Sequence, residues 1–256
     1  MLNNSPQPMR FLRQAALLAI GLAALPAVRS LNAAEGPVAA KLLDSAGRVD
    51  VRRFADQVRD GDWSPAIQAA IDAVREQDGF TAGATVFFPP GIYRVDRTLV
   101  LGGQRAHGGL HLLGYGATLL GSETLDAQPL PYEEPEPEEK EAGVPILLLR
   151  KPPGVEWADY VIEGLRFSRQ KKNGCAIAVP WNDVPKHTSF RRVIVHGQKI
   201  GVHIPYAWQF SFTDCSFRGN DIGMHMNACA IMGTPEMPSP FMAEFGQTVV
   251  FALSEV

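Results

Sequence analysis

The sequence predicts an all-β protein: a parallel β-helix, or solenoid, closed at its N-terminal end by a capping α-helix. Three observations predict it. Residues Phe190 to Trp208 and Phe212 to Ala230 repeat at a constant offset of 22 residues, keeping apolar positions and varying polar ones, the mark of stacked coils. The segment Ala84-Thr85-Val86-Phe87-Phe88-Pro89-Pro90-Gly91-Ile92-Tyr93-Arg94-Val95 is a strand that stops at a double proline, turns on a glycine and restarts with period-two alternation. Ile67, Ala70, Ile71 and Val74 recur at helical spacing just before it.

In chain order, the first element is an export signal. Arg10 and Arg13 precede an apolar run, Ala15 to Val28, and Ala33 and Ala34 offer a small-residue cleavage site. Residues 1–34 are therefore expected to be a signal peptide, and the protein to be secreted or periplasmic. The apolar run is short of the ~20 residues that span a bilayer; an uncleaved amphipathic anchor is the alternative. No second hydrophobic span follows, so no stable membrane insertion is expected. Residues 35–256 then form one β-helix domain.

The capping helix comes next. Ser64 is a good N-cap and Pro65 a good first-turn residue. A solenoid leaves an apolar cross-section at each end, and the helix face is expected to cover one of them. The runs Thr85–Phe88, Ile92–Val95, Thr98–Leu101 and Leu110–Leu113 are the first strands.

Net charge is −3, from 24 Lys and Arg against 27 Asp and Glu. No basic patch stands out, so a nucleic-acid partner is not expected. The charge is uneven: residues 132–143 hold six Glu and one Lys, and are expected to be a solvated, mobile loop. A calcium site is the functional alternative, although the glycine-punctuated spacing of a compact calcium loop is missing. Cys175, Cys215 and Cys229 make an odd set, which argues against a disulfide frame. Cys175 and Cys215 lie in apolar strand patterns and read as buried thiols.

The repeat assigns faces. It stacks Val193 on Cys215, Ile200 on Ile222 and His203 on His225. Val193, Val195, Ile200, Val202 and Ile204 are expected inward, with Cys215, Phe217, Ile222, Met224 and Met226. Gln198 over Asn220 predicts a short amide ladder. Arg192 over Asp214 and Lys199 over Asp221 predict ion pairs between coils. An earlier copy begins near Val161, with Leu165, Phe167, Gly174, Cys175 and Ile177.

The order Asp60-Gly61-Asp62-Trp63-Ser64-Pro65, the helical run Ala66–Ala73, the strand–turn–strand 84–95 and Leu110-His111-Leu112-Leu113-Gly114-Tyr115-Gly116-Ala117-Thr118-Leu119-Leu120 resembles the N-terminal module of the pectate-lyase-like superfamily. The resemblance covers roughly residues 48–121. That family usually reads Asp-Asp-Thr before the helix, where this chain has Asp62-Trp63-Ser64. The resemblance implies a right-handed parallel β-helix, with the helix over its N-terminal end. It also implies a substrate along the outer face of the strand after the glycine-bearing turn, here Gly201–Ile204 and Gly223–Met226.

Strand alternation puts His203 and His225 outward there, as candidate catalytic acid or base groups, with Asp221 and Lys199 just before the strands. Both histidines can equally be ordinary exposed positions. Two histidines and Asp221 make a weak metal set, and calcium enters only if the chemistry is that of a lyase. Gly174 and Gly201 each precede a tryptophan by seven residues, which sets Trp181 over Trp208, with Tyr206 close by. Such aromatic faces suit sugar rings; the two indoles can also stack and cover the core.

The chain departs from the family's enzymes. It lacks paired aspartates in consecutive coils and the Gly-His-Gly strand, since Ile200 and Ile222 precede the glycines. It ends soon after the strand-like run Thr248–Leu253 with no evident cap, so later coils carrying the chemistry are expected to be missing. The functional expectation is an exported carbohydrate-active β-helix that cleaves or binds an acidic polysaccharide, as a lyase or glycoside hydrolase. The alternative is a non-catalytic carbohydrate-binding or surface β-helix.

Overall fold

The computed structural model describes residues 48–74, 84–102, 109–153, 158–205 and 209–226. The expected export signal, residues 1–34, together with Tyr206, Trp208, Cys229 and residues 227–256, lies outside the described residues.

The described residues begin with β1 (Arg48–Asp50), a 3-10 turn over Val51–Gln57, and α1 (Ser64–Ala73). It then makes sets of three strands. The first is β2 (Thr85–Phe87), β3 (Gly91–Val95) and β4 (Leu99–Leu101). The second is β5 (His111–Leu113), β6 (Ala117–Gly121) and, after α2 (Glu123–Asp126) and α3 (Pro137–Ala142), β7 (Pro145–Leu149). The third is β8 (Val161–Glu163), β9 (Arg166–Arg169) and β10 (Cys175–Ala178). The fourth is β11 (Thr188–Arg191), β12 (Ile194–His196) and β13 (Ile200–Ile204), and the fifth β14 (Phe210–Thr213), β15 (Ser216–Arg218) and β16 (Ile222–Met226).

Each set gives one strand to each of three sheets: β1-β2-β5-β8-β11-β14, β3-β6-β9-β12-β15 and β4-β7-β10-β13-β16. Every pairing between these strands is parallel. The protein is thus mostly β, and its three parallel sheets fit a parallel β-helix-like solenoid. The 22-residue offset is the pairing register, with Phe190 on Phe212, Val195 on Phe217, Ile200 on Ile222 and His203 on His225.

The core lies between the sheets, where Val86, Val95, Leu112, Leu119, Leu147, Ile162, Phe167, Ile177, Val195 and Val202 are buried. Phe190 stacks on Phe212 with ring centroids 4.7 Å apart. Of the positions expected inward, Val193, Val195, Val202 and Ile204 join this core. Cys215, Phe217, Met224 and Met226 pack against it half-buried. Ile200 and Ile222 correct the expectation. Ile200 belongs to a second apolar cluster with Ala142, Leu148, Cys175 and Ala178, because α3 covers that part of the sheet, and Ile222 is 43% exposed.

The corners between strands use left-handed backbone. Gly164, Arg192 and Asp214 sit at equivalent positions with φ of 71°, 52° and 54°. The amide of Gly164 donates to the Arg191 carbonyl at 2.9 Å and that of Arg192 to the Thr213 carbonyl at 2.8 Å. Hydrogen bonding between coils thus continues around the bend. Asp159, His187 and Gln209 form a second such row, with φ of 50°, 59° and 57°.

The N-terminal end is closed as expected. Ile67, Ala70, Ile71 and Val74 are buried against the first strands. Edge groups of β4 and β3 are also met, at Val100 and Arg94. The Gln68 side-chain amide donates to the Val100 carbonyl at 3.1 Å and accepts from its amide at 2.9 Å, replacing a neighbouring strand. The Trp63 amide donates to the Arg94 carbonyl at 2.8 Å. Ser64 is not the N-cap. Trp63 is already helical, and the Ser64 hydroxyl instead accepts from the amides of Asp96 and Arg97 at 2.9 and 3.0 Å. Asp62 accepts the Ser64 amide at 2.8 Å in its place.

Two further expectations change. The acidic stretch 132–143 contains α3, with Glu139 and Ala142 buried. The predicted amide ladder becomes side chain to backbone: Asn220 accepts from the Gln198 amide at 2.9 Å and donates to the Val195 carbonyl at 3.2 Å. The Gln198 side chain is used elsewhere. Its Oε1 accepts from Nε of the buried Arg169 at 3.0 Å, and the same guanidinium donates to Asp126 and to the carbonyls of Val144 and Cys175. A buried guanidinium is tolerable only when satisfied in this way.

Candidate functional site

The outer face of the β4–β7–β10–β13–β16 sheet carries one straight row. Pairing aligns Val100, Leu148, Ala178, His203 and His225 across the five strands. The row is apolar until it reaches the histidines. The rings of His203 and His225 lie 5.1 Å apart, tilted by 33°, with Nδ1 atoms 3.0 Å apart. At that distance one Nδ1 carries a proton and the other accepts it.

His203 is outward in register, but it is not an exposed groove residue. It is fully buried, and its Nε2 has no hydrogen-bond partner among the described residues. Burial first, then the charge of His225, depresses its pKa to about 4, with Glu138 pulling the other way. The imidazole is therefore neutral at pH 7. The cover comes from α3, an excursion of the chain between β6 and β7. α3 is anchored at three points. Ala142 packs into the outer cluster. Glu139 Oε1 accepts from the Trp181 amide at 3.0 Å. Lys199 Nζ donates to the Glu141 carbonyl at 2.6 Å, where a cation suits the C-terminal end of a helix.

Lys199 is thus engaged with α3 and not with Asp221. Asp221 pairs with Lys172 at 2.9 Å, both side chains half-exposed. Arg192 and Asp214 do approach as expected, at 3.8 Å with both well exposed, which contributes little to stability. The structure brings the two histidines together and leaves Asp221 on a separate ion pair. Among the described residues no three His, Cys, Asp or Glu side chains gather as a metal-holding set, so the two histidines and Asp221 do not form one. The pairing of Trp181 with Trp208, and the place of Tyr206, lie outside the described residues.

Beside Trp181 is a pocket of about 100 Å³ lined by Pro131, Tyr132, Glu133, Glu134, Glu139, Arg150, Pro180 and Asn182. Trp181 itself is 40% exposed between Pro180 and Asn182. Arg150 Nε donates to Asp183 Oδ2 at 2.7 Å. Glu139 is fully used, since its Oε2 also accepts from the Glu136 amide at 2.9 Å. Of this lining the sequence had offered the neighbour Trp181 for a sugar, and the stretch holding Tyr132, Glu133, Glu134 and Glu139 only as an alternative calcium site. One signal was present for the rest. Glu136-Pro137-Glu138-Glu139 has the spacing of a helix start, with proline at the first position and an acid three residues after the cap.

No protein-family model, no curated protein and no solved structure matches the chain. Among the described residues no helix is long and apolar enough to cross a membrane.

Proposed function

We propose that the chain is an exported, right-handed parallel β-helix of the pectate-lyase-like kind that holds a polysaccharide against the outer face of the β4–β7–β10–β13–β16 sheet. The fold part is supported by the regular visit of the chain to three parallel sheets and by the helix that closes the first set of strands. The ligand part rests on one observation, the pocket beside Trp181. A tyrosine, a guanidinium and a side-chain amide line it, and the exposed Trp181 lies between two lining residues, Pro180 and Asn182; such a mixture suits the apolar faces and hydroxyls of a sugar.

Binding without turnover is the reading that the geometry supports best. A catalytic base must reach the proton it takes. His203 is buried, while Lys199 and Asp221 are engaged elsewhere. Cleavage is the second reading, favoured by the position of Glu133 and Glu134 on the pocket, since glycoside hydrolysis needs two carboxyl groups. Charge argues for an uncharged chain over the acidic one expected at first. Three glutamates line the pocket, and its cation Arg150 is already paired with Asp183.

The test is a polysaccharide panel titrated calorimetrically into the parent protein and Trp181→Ala, with unsaturated uronates and reducing ends assayed alongside. The expected result is binding to an uncharged polysaccharide, about tenfold weaker in the variant (roughly 1.4 kcal/mol), with neither product formed. Preference for polyuronate, or unchanged affinity in the variant, contradicts the reading.

A further inference from the structure

We propose a second site on a different face: a serine-nucleophile constellation for small acyl esters, with Ser189 as nucleophile, His187 as its base, Asp159 orienting the imidazole and Gln209 meeting the acyl oxygen. It lies on the six-stranded sheet and stands independently of the glycan reading.

The strand register builds the site. Val161, Ser189 and Ser211 are paired across β8, β11 and β14. Asp159, His187 and Gln209 each lie two residues earlier and so form a parallel row, all three at left-handed corners. The arrangement is a small grid, with Asp159 and Gln209 one coil to either side of His187 and Ser189 beside it along the strand. Neighbouring coils are ~4.8 Å apart, and same-face neighbours on a strand ~6.6 Å. His187 sits at the corner just before β11, and its side chain and that of Ser189 line the same cavity.

The polar contacts follow the roles. Asp159 Oδ1 lies 3.2 Å from His187 Nδ1. A carboxylate on Nδ1 fixes the tautomer that offers Nε2 as the base. The Ser211 and Ser189 hydroxyl oxygens are 2.9 Å apart. With Ser211 donating, the proton of Ser189 is available to His187. Asp159, His187, Ser189 and Gln209 line one cavity of about 390 Å³ with Tyr160 and Val161, and the Gln209 amide supplies N–H donors of the kind that hold an oxyanion. The His187 and Asp159 side chains are 41% and 55% exposed, so a solute has access. The corner row of Gly164, Arg192 and Asp214 has the same backbone without this grouping. The left-handed conformation therefore belongs to the corner, and the chemistry belongs to the side chains placed on it.

In the acylation step Ser189 Oγ bonds to the ester carbonyl carbon and its proton passes to His187 Nε2. The carbon–oxygen bond to the alcohol breaks, and the alcohol leaves with that proton. Water then bonds to the acyl carbon and gives a proton to His187. The bond to Ser189 breaks, the carboxylic acid departs, and Ser189 recovers its proton. No oxidant or reductant is involved.

The test treats the full chain with a fluorophosphonate probe, maps the labelled peptide by mass spectrometry, and follows hydrolysis of p-nitrophenyl acetate. Label on Ser189 in the parent is expected and needs no variant. Ser189→Ala and His187→Ala are expected to lose the label and at least about 100-fold in kcat/KM. Asp159→Asn is expected to lower kcat at unchanged KM and to alter the pH profile, which a merely structural role would not do. Glu123→Gln, on another face, is expected to hydrolyse like the parent. Absence of label, label on another residue, or hydrolysis unchanged in a folded Ser189→Ala overturns the proposal.

Discussion

His203 shows how a residue's place in the fold changes its chemistry. Its outward direction and its stacking on His225 were legible in the repeat. Its burial was not, because the cover is α3, which follows β6 and is remote in sequence. The sign of its pH effect follows from that burial. The folded pKa is depressed to about 4 from an ordinary value of 6.5. Stability is therefore complete above about pH 6.5 and is lost as pH falls toward 4, at up to about 1.4 kcal/mol per unit of difference between the two values. His203→Leu, which matches the Leu148 and Ala178 of the same row, is expected to flatten this acid limb. The check is melting temperature against pH from 7.5 to 4. An equal acid limb in the variant would place the loss elsewhere. The corner residues were also illegible. Arg192, Asp214, Asp159, His187 and Gln209 take left-handed backbone where glycine would have signalled it, and only the coil geometry demands it.

At the scale of elements, α1 was the most legible piece. Its apolar face was readable at helical spacing, and its task followed from the open end that a solenoid must cover. What the spacing could not carry was the use of polar residues to finish the edge, Gln68 on Val100 and Ser64 on Asp96 and Arg97. Ile71→Asp would bury an unpaired charge at that end and is expected to cost at least about 3 kcal/mol. Gln68→Leu is expected to cost about 1–3 kcal/mol, by orphaning the Val100 amide and carbonyl. Chemical denaturation of both variants measures this. A midpoint unchanged for Ile71→Asp would remove the capping assignment. α3 was missed because its composition outweighed its pattern. Six glutamates in twelve residues read as a solvated loop, whereas the proline at its start and the two contacts made by Glu139 hold a short helix against the sheet.

For the whole molecule, the offset between the last two described coils was readable because identical spacing repeats identical positions. The earlier coils were harder to see, since the excursion carrying α2 and α3 interrupts the second set of strands. Both sites depend on the same register: the histidine row and α3 on one sheet, the Asp159–His187–Gln209 row on another. That register is the central claim, and cross-linking tests it directly. In a background with Cys175, Cys215 and Cys229 replaced by alanine, Ser189→Cys with Ser211→Cys places two thiols on paired positions whose hydroxyls are now 2.9 Å apart. Ser189→Cys with Thr213→Cys shifts the pair by one same-face step. Disulfides need Cα atoms within about 7 Å. The account predicts rapid intramolecular disulfide formation in the first pair under mild oxidation and little in the second. Equal formation in both, or preference for the shifted pair, would contradict it.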